Sequence, residues 1–127
     1  MRTNIEHELD SLVQKWAATQ PSMYSGKRGC VGHHIFSRKN MMIRWDLRNI
    51  APLTPEEHQL LHAGKIKLEI DSETTSYLEE MMKVNYKTWL VMNGMTEREF
   101  FQKEKEKLKA ELVDKYLYKS VSYTHLR

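Results

Sequence analysis

The most constraining feature of the sequence is a cluster of histidines in the stretch from Cys30 to Gly64. Four of the six histidines of the chain lie here, two of them adjacent and two four residues apart: His33, His34, His58 and His62. Asn49 stands between the two pairs. Imidazoles bind metals and transfer protons near neutral pH, and core packing alone hardly explains so many in one stretch. We therefore expect a functional site here.

Local signals place the two pairs on different elements. Residues 30–36 and 49–53 have the pattern of short strands, joined by a long basic loop. Thr54 followed by Pro55 and Glu57 is typical of a helix start, with Thr54 as N-cap and Glu57 completing a capping box. This helix should end at Gly64, a residue type favoured just after a helix.

These elements predict a metal site. Residues four apart share one face of a helix, so His58 and His62 can bind the same ion. Neighbours on a strand face opposite sides, so either His33 or His34 can supply a third ligand while the other stays free for proton transfer. Three neutral imidazoles would leave coordination positions open, as in catalytic sites.

The remainder of the chain predicts a mostly helical platform, and an α+β fold overall. One helix is expected before the histidine cluster and two after it, over residues 5–19, 72–93 and 96–118. The first is capped by Asn4. Residues 20–28 and 65–70 read as connectors. Trp45 in the basic loop is expected to be a core anchor rather than a base-stacking platform.

Length and composition favour one soluble domain. A chain of 127 residues supports a single core, and no apolar run approaches the ~20 residues that span a bilayer. A signal peptide is not recognisable and Cys30 is the single cysteine, so a cytoplasmic location is the default. We expect one domain over residues 1–119, with the site within 28–65 and a helical extension over 71–119. Residues 120–127 resemble a translated sequencing adapter and are left out of the fold prediction.

Positive charge gathers beside the histidines although the net charge is only +3. The candidates for contacting a polyanion lie in the loop between the two predicted strands: Arg38, Lys39, Arg44 and Arg48. A basic patch of this kind is expected where nucleic acid approaches. A solvated basic loop without a partner is an equally good interpretation of the charges taken alone.

The order His-His, Asn, His-x-x-x-His, with GHHIFSRKN and RWDLRN around it, resembles the motif of HNH nucleases. It is most similar to the colicin-type DNase version and to short phage HNH proteins. The resemblance covers residues 28–65 and implies a ββα-metal (His-Me finger) core, in which a hairpin is followed by a short helix. It further implies cleavage of DNA phosphodiester bonds with one divalent ion, Zn²⁺, Mg²⁺, Mn²⁺ or Ni²⁺. The chain would then be encoded by a phage or another mobile genetic element and act in the cytoplasm of a bacterial host.

The resemblance also implies a role for each residue of the motif. His33, His58 and His62 correspond to metal ligands, His34 to the general base, and Asn49 to the residue that pins the hairpin loop and so fixes the His34 ring. The chain departs from the pattern in lacking paired cysteines and an acidic residue before the histidine pair. The cation that stabilises the transition state is unassigned among the basic residues.

Less specific interpretations remain open at this level. A histidine pair four residues apart is common on surface helices, and Asn49 could be a turn residue. The main functional alternative is a non-catalytic, metal-stabilised nucleic-acid-binding accessory protein of a phage. A toxin-type nuclease would need an immunity partner and a delivery segment, neither of which is recognisable. The C-terminal helices could also pair with a second copy to form a homodimer.

Overall fold

The computed structural model describes the backbone of residues 4–125 and the side chains of residues 4–113. Over this range the fold is α+β and mostly helical, with five helices and one antiparallel hairpin. The elements are α1 (Asn4–Ala18), β1 (Val31–His34), β2 (Ile50–Leu53), α2 (Pro55–His62), α3 (Ser72–Met82), α4 (Tyr86–Met92) and α5 (Glu97–His125). Both strands are shorter than the sequence predicts, and Asn49 ends a short 3-10 turn before β2.

The core lies where α1 packs against α5 and the hairpin. Leu9 and Val13 on α1 and Phe101 on α5 are almost completely buried. The prediction that Trp45 anchors the loop is confirmed, since it is buried with its ring edge-on to Phe101 at 5.5 Å between centroids. Cys30 is buried at the start of β1. The hairpin therefore packs on α1, and α1 in turn packs on α5.

Helix α2 begins as the sequence predicts. The Thr54 hydroxyl accepts from the Glu57 N–H at 3.2 Å, while the Glu57 carboxylate accepts from the Thr54 N–H at 2.9 Å. Pro55 occupies the first turn, and Gly64 follows the helix with φ +71°. The buried Glu57 carboxylate also accepts from the Ser22 hydroxyl. The start of α2 is thus tied to the connector before the hairpin.

The expected single helix over residues 72–93 is wrong, because the structure has two helices there. α3 ends at Met82 and α4 begins after Asn85, whose side chain accepts from the Thr88 N–H at 2.9 Å. Asn competes for backbone N–H groups and favours helix caps over helix interiors. Three helices, not two, therefore follow α2 in the described residues.

Helix α5 also extends beyond its predicted end. Its capping box forms as expected, with Thr96 and Glu99 bonded to each other's backbone. The helix continues to His125, past the boundary expected at residue 119. The prediction that residues 120–127 are a non-native tail is not tested by the structure, which describes only the backbone of residues 120–125 and nothing of 126–127. No described helix combines the length and hydropathy that a membrane crossing requires.

Candidate metal centre

Three imidazoles converge beside the hairpin, one from β1 and two from α2. One ring nitrogen each of His33, His58 and His62 lies within 4.8 Å of the other two. The Nε2 atoms of His58 and His62 are 3.0 Å apart. Zinc–nitrogen bonds of about 2.0–2.1 Å place tetrahedral ligands somewhat over 3 Å from one another. The three donors are therefore close enough to bind one metal ion.

The surroundings favour the neutral form of two of these imidazoles, those of His33 and His58. Burial, with the neighbouring His58, His62 and His34 rings, lowers the pKa of His33 to about 4. Burial and the His62 ring lower the pKa of His58 as well. Neutral imidazole is the form that binds a metal, so at neutral pH an ion has few protons to displace from His33 and His58.

The His34 ring does not join this group. Its Nε2 lies 2.9 Å from the carbonyl oxygen of Arg44. Because a carbonyl can only accept, Nε2 carries the proton and Nδ1 keeps its lone pair. Burial lowers the pKa of His34, and the bond to the carbonyl opposes that shift without cancelling it. His34 is thus a neutral imidazole with one basic nitrogen.

Asn49 holds the loop that follows His34. Its fully buried side chain accepts from the Phe36 N–H at 2.8 Å and donates to the carbonyls of Phe36 and Ile43 at 3.1 and 3.3 Å. Ile43 directly precedes Arg44, whose carbonyl contacts the His34 ring. Asn49 therefore holds the loop backbone on both sides of its bend, next to the carbonyl that is bonded to His34.

The four imidazoles line a cleft of about 480 Å³. One side of the cleft is formed by α1 through two residues that were not predicted from the sequence, Asp10 and Gln14. The Asp10 carboxylate accepts from Arg38 at 2.9 Å, from Arg44 at 3.0 Å and from the Trp45 indole at 2.9 Å. The sequence does show that Asp10 and Gln14 are four residues apart and therefore share a polar face of α1, next to its apolar stripe. It gave no indication of which loop this face would contact.

The four predicted nucleic-acid-binding residues do not form one surface in the structure, because each lies in different surroundings. Arg38 is half-exposed and lines the cleft. Lys39 is exposed but borders a different, methionine-lined groove. Arg48 is bonded to Asp46 and stacked over the Tyr77 ring.

The prediction that Arg44 contacts nucleic acid requires a correction. It is only 8% exposed, and its guanidinium pairs with Glu6 at 3.5 Å and with Asp10 at 3.0 Å. The two carboxylates of α1 draw it inward, so it ties the loop to α1 rather than presenting charge to a polyanion. Of the four residues, Arg38 alone borders the imidazole cleft.

Comparisons with known proteins do not assign the chain to a family. No protein-family model matches the chain, and no significant match was found among curated proteins or solved structures. A function for the chain therefore rests on the geometry and chemistry of the cleft.

Proposed function

We propose that the protein is a metal-dependent HNH endonuclease that hydrolyses phosphodiester bonds in DNA. One observation carries the proposal: three imidazoles converge while a fourth, with one basic nitrogen, stays outside the group but lines the same cleft. A purely structural metal site has four protein ligands and needs no free base. The arrangement of His33, His58 and His62 beside His34 suits catalysis better.

The donor set fits a divalent metal ion. Three imidazole nitrogens favour Zn²⁺, Ni²⁺ or Mn²⁺ by ligand softness, with Mg²⁺ bound more weakly. His33, His58 and His62 would hold the ion and leave positions open for water and a phosphate oxygen. When bound, the ion would stabilise negative charge on the phosphate and on the departing 3′ oxygen.

His34 is the general base in this proposal. Nδ1 takes a proton from the attacking water as the water oxygen bonds to phosphorus and the bond to the 3′ oxygen breaks. Nε2–H stays bonded to the Arg44 carbonyl, which stabilises the imidazolium that forms. Asn49 keeps this carbonyl in place through the loop. Arg38, directed by Asp10, contacts the phosphate backbone at the mouth of the cleft.

Nicking of supercoiled plasmid DNA with each of the four metals tests this function. The parent protein should nick the plasmid with at least one of them. His34→Ala should lose at least about 100-fold in rate, since a general base contributes 10²–10⁴-fold, while metal affinity stays unchanged. His7→Ala, an exposed histidine on α1, is the matched control and should cut as well as the parent.

Two outcomes would contradict the proposal in different ways. If His34→Ala cuts as fast as the parent, another group is the base. If the parent binds metal and DNA yet never nicks the plasmid under any metal, the non-catalytic accessory protein becomes the better interpretation.

A further inference from the structure

The outer edge of β1 carries polar backbone groups directly beside a metal ligand. Gly32, which precedes His33, is paired with Pro52 in the hairpin register. Pro52 has no N–H, and its carbonyl accepts from Met23 on the far side of β2 at 2.8 Å. Opposed residues of an antiparallel pair exchange both hydrogen bonds or neither. The N–H and C=O of Gly32 therefore point away from β2.

Gln14 of α1 satisfies both of these groups. The Gly32 N–H donates to Gln14 Oε1 at 2.8 Å, and Gln14 Nε2 donates to the Gly32 carbonyl at 3.2 Å. The side-chain amide thus pairs with the strand edge as a residue of a neighbouring strand would. No described strand occupies that side of β1.

The strand and the helix approach closely at the same point. A Cβ on Gly32 would lie 2.9 Å from Ile50 Cγ2 and 3.3 Å from the Ala17 methyl group. A side chain at this position would force Ile50 or α1 to shift, so glycine fits the close approach. The contact between Gln14 and the strand is therefore short and leaves little room for the strand to shift.

We propose that Gln14 is a positioning residue for the metal ligand His33, an inference that rests on the metal site of the proposed function. β1 has four residues and one partner strand, so its outer edge can move unless the two hydrogen bonds from the Gln14 side chain hold it. His33 must meet two ligands carried by a different element, α2. Ligand sites need placement within about 0.5 Å, and loss of an outer-shell contact costs about 10–100-fold in metal affinity.

The test compares metal affinity in Gln14→Met with that in the parent. Methionine keeps the length of the side chain and removes both hydrogen bonds. Affinity for Zn²⁺ or Co²⁺, measured by competition with a chromogenic chelator, should weaken about 10-fold. Gln102→Met, an exposed glutamine on α5, should bind like the parent. Gln14→Glu, which keeps the acceptor but sets a carboxylate oxygen against the Gly32 carbonyl, should weaken binding as well.

A double-mutant cycle separates positioning from general destabilisation. In a His33→Ala background, Gln14→Met should have no further effect on the residual affinity, because the ligand it positions is gone. In a His62→Ala background the effect of Gln14→Met should persist. Hydrogen exchange provides a metal-free readout: the Gly32 amide should be protected in the parent and exchange faster in Gln14→Met.

The outcomes distinguish this inference from the function itself. A parent that binds no metal would overturn both. Suppose instead that the parent binds metal and that Gln14→Met binds it equally well, although the Gly32 amide of the variant has lost its protection from exchange. That result would overturn only the role of Gln14. An equal loss of affinity from Gln14→Met with and without His33 would overturn it too.

Discussion

The hydrogen bond to the Arg44 carbonyl oxygen determines which nitrogen of His34 is basic, and Asn49 is bonded to the residue that precedes Arg44. Asn49 reaches the loop at both Phe36 and Ile43, the residue before Arg44. If His34 is the general base, as proposed, its orientation would therefore depend on a buried amide that does not line the cleft. The sequence motif implies such a role for Asn49, and the hydrogen bonds supply a physical route for it.

Asn49→Ala should destabilise the protein by about 3 kcal/mol, because it removes three hydrogen bonds of a fully buried side chain and leaves the N–H and C=O of Phe36 without their partner. Urea unfolding measures this change. Asn93→Ala removes an exposed asparagine that donates to the Trp89 carbonyl, and should cost under about 1 kcal/mol. Equal midpoints for the two variants would show that the loop does not need Asn49.

At the scale of elements, local chemistry was predictable and contacts between distant segments were not. The capping box of Thr54 and Glu57 fixes the start of α2 from four consecutive residues, and it forms as predicted. The break at Asn85 was missed because apolar residues keep helical spacing across it. The placement of Arg44 was missed for another reason: its partner Asp10 lies 34 residues away, and no local pattern encodes such a contact.

Asp10 joins α1 to the loop, and this junction should depend on pH. Burial alone would raise the pKa of Asp10, but the hydrogen bond from Trp45 and the charges of Arg44 and Arg38 outweigh it, so the pKa is lowered from 3.8. A carboxyl with a lowered pKa in the folded state stabilises the fold above its unfolded pKa. This stability is lost as the pH falls through the folded pKa.

Asp10→Asn should therefore be less stable than the parent at neutral pH, and the difference should shrink as the pH falls from about 5 to about 3. The measurement is the free energy of unfolding in urea at several pH values. Glu79→Gln, at an exposed carboxylate of α3, should follow the parent throughout. A constant gap between the parent and Asp10→Asn across this range would mean that the charge of Asp10 contributes nothing to the junction.

For the whole molecule, a metal ion bound at the proposed site would stabilise the fold. Helix α2 has eight residues, and the buried one among them is Glu57, at its first turn. Its other end, which carries His62, is exposed. A helix this short is not stable alone in water. A metal ion held by His33, His58 and His62 would cross-link that end to β1, so metal binding should add directly to the stability of the fold.

Thermal unfolding with and without metal tests this coupling. An ion bound only by the folded state, at about 100 times its Kd, adds about 2.7 kcal/mol and raises the melting temperature by several degrees. Excess chelator should return the parent to its metal-free melting temperature. His62→Ala should lose most of the increase, whereas His7→Ala should keep it, because His7 lies outside the cleft. If His62→Ala gains as much from the metal as the parent, the ion that stabilises the protein is not held by these three imidazoles.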